Sequence, residues 1–155
     1  MSFADSLSQR EVEKRKLERA REEKERKIQE KMSWFELHLQ FRCTWIAEAG
    51  GHSLSGYVAW EDGTPEIKAF PKGAIANQSS STYMECYEDK ELVEGICAGM
   101  STVAKKLGFT RFTIAPQKVK YAIYKSYKPW YSMFSESKIV GYEDKYAIYV
   151  EVWWN

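Results

Sequence analysis

The chain has 155 residues, 44% of them hydrophobic and 29% charged, with a formal net charge of +1. That is the composition of a soluble globular protein, and a net charge near zero excludes an overall field driving it onto nucleic acid or a membrane. No apolar run reaches the roughly 18 residues of a membrane span, no apolar segment of a secretory signal opens the chain, and lipidation motifs are absent, so no membrane contact is expected. The charge is unevenly spread. Residues 1–33 carry ten basic and eight acidic side chains, residues 34–104 four and ten, and residues 105–145 nine and three. Cys43, Cys86 and Cys97 are an odd count without framework spacing, which points to a reduced, cytoplasmic setting.

From Ser8 to Lys31 nearly every residue is charged or helix-favouring, with the signs interleaved. Glu11–Arg15, Glu22–Arg26 and Glu23–Lys27 stand in the better orientation for pairs four apart, and Lys14–Glu18, Arg21–Glu25 and Arg26–Glu30 in the weaker one. Ser8 and Glu11 form a capping box at the front. The apolar positions Leu7, Val12, Leu17, Ala20 and Ile28 hold no heptad seam. Residues 1–32 are therefore expected to be a charged, solvent-exposed helix that adds little to a core, and residues 33–155 a single α+β domain.

A second capping box, Ser33 to Glu36, precedes a stretch that reads two ways. As a strand, Phe35, Leu37, Leu39, Phe41, Cys43 and Trp45 alternate with polar residues. As a helix, Trp34, Leu37, Phe41 and Trp45 make one stripe, with Phe35, Leu39 and Ile46 beside it. The cap at Ser33, the Gly50-Gly51 stop and the length of the segment favour the helix over 34–48. From Leu54 the pattern is β. Residues 54–60 and 65–70 make a hairpin around Asp62-Gly63, residues 71–82 read as a loop, and 82–87 as a short strand.

Asp89 caps a helix whose Leu92, Ile96, Met100, Val103 and Leu107 recur at three and four, with Lys105 and Lys106 at its negative end and Gly108 as its stop. Gly95 and Gly99 within it cost stability relative to alanine, so a neighbouring element should pack closely there. Residues 109–115 read as a strand stopped by Pro116. Residues 117–128 are open between strand and short helix, and 145–154 alternate as a terminal strand. The expected fold is α+β: a mostly antiparallel sheet of four or five strands packed by one or two helices, preceded by the long charged helix.

No catalytic signature appears. The cysteines and histidines lack metal-ligand spacing, the abundant carboxylates of the middle third read as a solvated face, and both nucleotide-binding glycine patterns are missing. No cofactor and no metal are expected. One constellation rises above this background. Lys118, Lys120, Lys125, Lys128 and Lys138 interleave with Tyr121, Tyr124, Tyr127, Trp130, Tyr131 and Phe134. Cations beside aromatic faces suit single-stranded nucleic acid, and Tyr and Trp equally suit a protein interface or plain packing. The expected partner-binding residues are Lys118, Lys120, Tyr121, Tyr124, Lys125, Lys128, Trp130 and Tyr131. The expected function is a small non-enzymatic adaptor, inhibitor or accessory factor that docks on a protein through its charged helix and this surface. The alternatives are a nucleic-acid-binding module using 111–138, or an enzyme whose site is assembled from dispersed residues.

Overall fold

The computed structural model describes residues 2–71, 73–76 and 82–155, and shows an α+β fold of two helices and a six-stranded antiparallel sheet. Helix α1 runs unbroken from Phe3–Glu48, 46 residues and about 70 Å at 1.5 Å per residue. Its cap is Ser2, whose hydroxyl accepts from the Asp5 N–H (3.2 Å) while the Asp5 carboxylate accepts from the Ser2 N–H (3.1 Å). Ser8 and Ser33 are both interior, which corrects the two starts read from spacing. Neither site has a glycine or proline to break the helix, and a break would leave backbone donors and acceptors of two termini unsatisfied.

Of the predicted pairs, Glu11–Arg15 (2.9 Å), Glu23–Lys27 (3.6 Å) and Arg26–Glu30 (3.2 Å) form. The helix stops where expected. Gly50 takes a left-handed φ of +87°, its N–H donates to the Ala47 carbonyl, and the Gly51 N–H donates back to Ile46. That is a Schellman closure. Helix α2, Lys90–Lys106, is capped by Asp89 and ends the same way, through Gly108 to Lys105 and Phe109 to Ala104.

Strands β1 (Ser53–Glu61) and β2 (Thr64–Lys68) form the predicted hairpin, with Asp62 and Gly63 both at positive φ. The expected strand 82–87 divides into β3 (Thr82–Met84) and β4 (Cys86–Tyr87). β3 pairs with β1 and β4 with β6, so this strip fills the fork where β1 and β6 diverge. Strands β5 (Arg111–Tyr127) and β6 (Glu136–Trp153) pair over their whole length.

β5 passes through Pro116, which corrects the strand end expected there. The Lys120 carbonyl and the Ala122 N–H both bond to Ala76 on the side away from β6. Pro116 has the same parity, so its missing N–H lies on the free edge, where no ladder bond is lost.

The main core lies between the helices and one sheet face. It joins Phe35, Leu39 and Cys43 of α1 and Val93, Ile96, Cys97 and Met100 of α2 to Leu54, Val58, Ile67, Ile148, Val150 and Val152. The expected tight packing at the two glycines is present. A Cβ on Gly99 would stand 2.7 Å from the Met32 sulfur, and one on Gly95 3.4 Å from Ile28. A smaller core of Ala76, Met84, Tyr121 and Ala147 occupies the opposite sheet face.

The charged helix is thus continuous with the body, and its contribution begins before residue 32. Lys24 pairs with Asp89 at 3.1 Å, and Ile28 and Met32 join the core. Lys31 pairs with Glu85, which is only 7% exposed, and lies over the rings of Trp60 and Tyr87.

Candidate functional site

β6 parts from β1 at Tyr149 and from β4 at Tyr146, and the Ala76 bridge at Tyr121 is the last outside strand contact of β5. Beyond these points, apart from the Ala122 N–H that bonds back to the Ala76 carbonyl, the two strands have, among the described residues, only each other. Ala122–Tyr127 and Glu136–Tyr142 form a two-stranded arm about 20 Å long at 3.4 Å per residue, closed by the turn 128–135. The register slips between Ile123 and Tyr124, which pair with Gly141 and Ile139, so Val140 is left as a bulge.

The eight expected site residues are distributed along this hairpin and do not share one face. Lys118, Lys120 and Tyr124 have one parity on β5, Tyr121 and Lys125 the other. Lys118 is paired with Asp144 at 3.2 Å. Tyr121 is 8% exposed and packs in the small core beneath the Lys145 ammonium, 4.1 Å from its ring centre. Its buried hydroxyl meets no hydrogen-bond partner among the described residues, and burial pushes its pKa up.

The residues nearest the end are different. Trp130 is 95% exposed and Tyr131 69%, their rings edge to face at 5.7 Å. Lys125 faces Lys138 directly across the ladder, and Lys128 follows at the turn. Among the described residues no carboxylate lies within ion-pair distance of these three lysines. Glu136, the nearest in sequence, accepts from the Tyr127 hydroxyl at 2.7 Å.

Sequence reasoning left out Met133, Ile139, Val140 and Tyr142, all exposed on the same arm. The strand reading began at 145 because the bulge at Val140 and the Gly141 gap interrupt alternation, the one signal that could have extended it.

A second uncovered surface lies on α1. Of the two apolar stripes over 34–48, Phe35, Leu39 and Cys43 are buried, while Leu37 (68% exposed), Phe41 (68%) and Trp45 (58%) face outward. Spaced by four, they lie one above another, and the Arg42 guanidinium sits 5.0 Å from the Trp45 ring.

The cysteines are poorly placed for nucleophilic chemistry. Burial pushes the Cys43 and Cys86 thiols up to about 11 and that of Cys97 to about 12, so they stay protonated near neutral pH. Desolvation also lowers the pKa of His38, which packs against Trp34 at 4.9 Å. Among the described residues, no three His, Cys, Asp or Glu side chains gather as a metal site would require, and no helix is long and apolar enough to cross a membrane. The hollows are open. One of about 330 Å³ lies between α1 and the first hairpin, against Trp34, Trp60 and Pro65. Another of about 490 Å³ lies over Tyr57, Gln117 and Val119. Comparison with known proteins returns no match to a protein family, a curated protein or a solved structure.

Proposed function

We propose that this is a small non-enzymatic binding protein, an adaptor, inhibitor or accessory factor, that docks on a protein partner. It does so through α1 and the Lys/Tyr/Trp surface of the β5–β6 hairpin. The observation that carries this reading is that both elements leave large apolar side chains uncovered: Leu37, Phe41 and Trp45 on the outward face of the base of the helix, Trp130 and Tyr131 at the end of the arm. Exposed patches of this size are sites of association in folded proteins. A helical stripe with spacing four is the form in which one helix presents itself to a groove or another helix.

Photo-crosslinking in the cells that make the protein tests it, with benzoylphenylalanine at position 41 or 124 and at Thr113 on the sheet as control. A discrete protein adduct from 41 or 124 and none from 113 is the expected result. Adducts from no position, or equal adducts from all three, would refute the docking reading.

Nucleic acid is the second reading, favoured by Lys125 and Lys138 standing opposite each other beside aromatic rings with no carboxylate between them. Each phosphate contact would add about one unit to the salt slope of affinity. Anisotropy titrations with single-stranded oligonucleotides at two salt concentrations decide it. No binding is expected at either.

A further inference from the structure

The docking reading leaves one feature unexplained. The end of the arm exposes a short run of chain, whereas a protein interface of ordinary stability takes about 20–30 residues on each side. Four large side chains, Trp130, Tyr131, Met133 and Phe134, are 69–95% exposed within five consecutive residues. They project from the end of a two-stranded ribbon, which by itself is marginally stable in water.

Behind them, among the described residues, stand three lysines with no ion-pair partner, Lys138 lying over the Tyr127 ring at 4.5 Å. The contrast within one hairpin is sharp. At its base Lys118 is paired with Asp144 (3.2 Å) and Lys145 with Glu143 (3.3 Å). At its end Lys125 and Lys138 face each other across the ladder, an arrangement of like charges that destabilises a sheet unless an anion lies between them. Lys128 adds a third positive charge at the start of the turn.

From the end inward come the aromatic and thioether side chains of the turn, then Lys128 with Glu136 opposite Tyr127, then Lys125 opposite Lys138, then the exposed Ile139, Val140 and Tyr142, and last the ion-paired base. The outer part matches a lipid surface: Trp and Tyr favour the interfacial layer, and the three lysines, in excess over the single Glu136 carboxylate, reach anionic headgroups. The backbone of the turn suits entry as well. Pro129 has no N–H, the Ser132 N–H donates to the Pro129 carbonyl (3.1 Å), and the Phe134 N–H donates to the Ser132 hydroxyl (3.1 Å). These two satisfied donors lower the cost of approaching the interfacial layer, where the remaining N–H groups of the turn still meet water.

We propose that the end of the arm docks on an anionic membrane surface, seating Trp130, Tyr131, Met133 and Phe134 in the interfacial layer and Lys125, Lys128 and Lys138 on lipid phosphates. The proposal rests on the arm's being a docking element; it gives the turn to lipid and leaves α1 and the strands of the arm around Tyr124 to the protein partner. The absence of a span and of a lipid anchor leads to the expectation of no membrane contact, but a turn that reaches only the headgroup layer needs neither.

The test uses the full chain with vesicles of phosphatidylcholine alone or mixed in equal parts with phosphatidylserine, read by flotation and by quenching of tryptophan emission with brominated lipid. The expected result is binding to the mixed vesicles, weakened by added salt. The double variant W130A/F134A should bind at least about tenfold more weakly. Lys125→Ala and Lys128→Ala should each cost about fivefold on mixed vesicles, from roughly 1 kcal/mol per lysine. Trp130→Phe should keep most of the binding and lose much of the quenching, which places this ring in the lipid. The far-ultraviolet circular dichroism of the variants should be unchanged, since the altered side chains are exposed.

Absence of binding to mixed vesicles at low salt overturns the proposal, as does binding that W130A/F134A leaves intact. Concentration-dependent self-association abolished by Trp130→Ala would overturn it too, by giving the turn to a second copy. A protein adduct from a crosslinker at position 130, with no vesicle binding, would give it to the protein partner. In each case adducts from position 41 would still stand, so failure here is distinguishable from failure of the docking reading.

Discussion

Residues 3–23 of α1 and residues 122–142 of the arm are the two long parts of the chain with least cover, and they meet water with opposite surfaces. The helix is charged nearly all round, and its pairs, such as Glu11–Arg15, are about two-thirds exposed. Such pairs contribute a few tenths of a kcal/mol each, and the exposed apolar side chains among them, Phe3, Leu7, Val12 and Leu17, are scattered between charges without a heptad seam. The arm end carries Trp130, Tyr131, Met133 and Phe134 in the open. Each aromatic ring there leaves on the order of 150–250 Å² that water solvates poorly. A projecting polar helix is complete by itself, whereas a projecting apolar ribbon is complete only when something covers it. Both depend on their bases for stability, and neither free end should matter to folding.

The sharpest way to break that comparison is at the base of α1. Phe35 is fully buried, so Phe35→Ala should destabilise by about 3–5 kcal/mol in urea melts. A loss below about 1 kcal/mol would mean the base does not anchor the helix. Ile96→Ala, across the same core on α2, should cost roughly 2–5 kcal/mol.

Truncation locates where the free end stops. Removing residues 1–31 takes away Ile28 and Lys31, uncovers the Gly95 face of α2 and leaves Glu85 with the Tyr87 hydroxyl but no cation, a loss on the order of 2 kcal/mol or more. Removing residues 1–20 should leave the thermal midpoint within about 4 °C, an effect under 1 kcal/mol. Equal effects from the two truncations would erase the division drawn at Lys24.

The Lys31–Glu85 contact gives a prediction in pH. Burial raises the Glu85 pKa above its ordinary value of 4.5, and the Lys31 charge opposes that only in part. The folded state thus holds the Glu85 proton more tightly than the unfolded chain does. This group's contribution is fully present below pH 4.5 and is lost as pH rises through the raised folded value. Relative to Glu85→Gln, which cannot titrate, the natural chain should therefore lose stability as pH increases from about 4.5 toward neutral. Parallel slopes for the two proteins in melts across that window would show that burial does not govern this carboxyl.

The smallest expected effect is at the arm end. Trp130→Ala should change folding stability by no more than about 0.5 kcal/mol, since the ring is 95% exposed. A larger loss would mean the arm end packs on the body in solution.

Where one residue's local chemistry decided the outcome, sequence was enough. Gly50 and Gly108 end their helices because glycine takes a left-handed φ without strain, Asp62-Gly63 turns the first hairpin, and Asp89 caps α2. Gly95 and Gly99 announced a close neighbour because a bare helical face is useful only when another surface fills it.

What sequence left open were choices between equal local options. Residues 34–48 carry two apolar stripes, and nothing local says whether Phe35-Leu39-Cys43 or Leu37-Phe41-Trp45 turns inward. The position of α2 settles it, through Met32 against Gly99. Pro116 ends a central strand but not an edge strand, and edge position exists only once the sheet is assembled. The arm was hidden for the same reason, since the exposure of Trp130 and the lack of partners for Lys125 and Lys138 are properties of where β1, β4 and Ala76 stop pairing. Helix ends and tight turns are fixed within a few residues of chain, but faces, edges and uncovered ends are relations between distant segments, and only tertiary packing defines them.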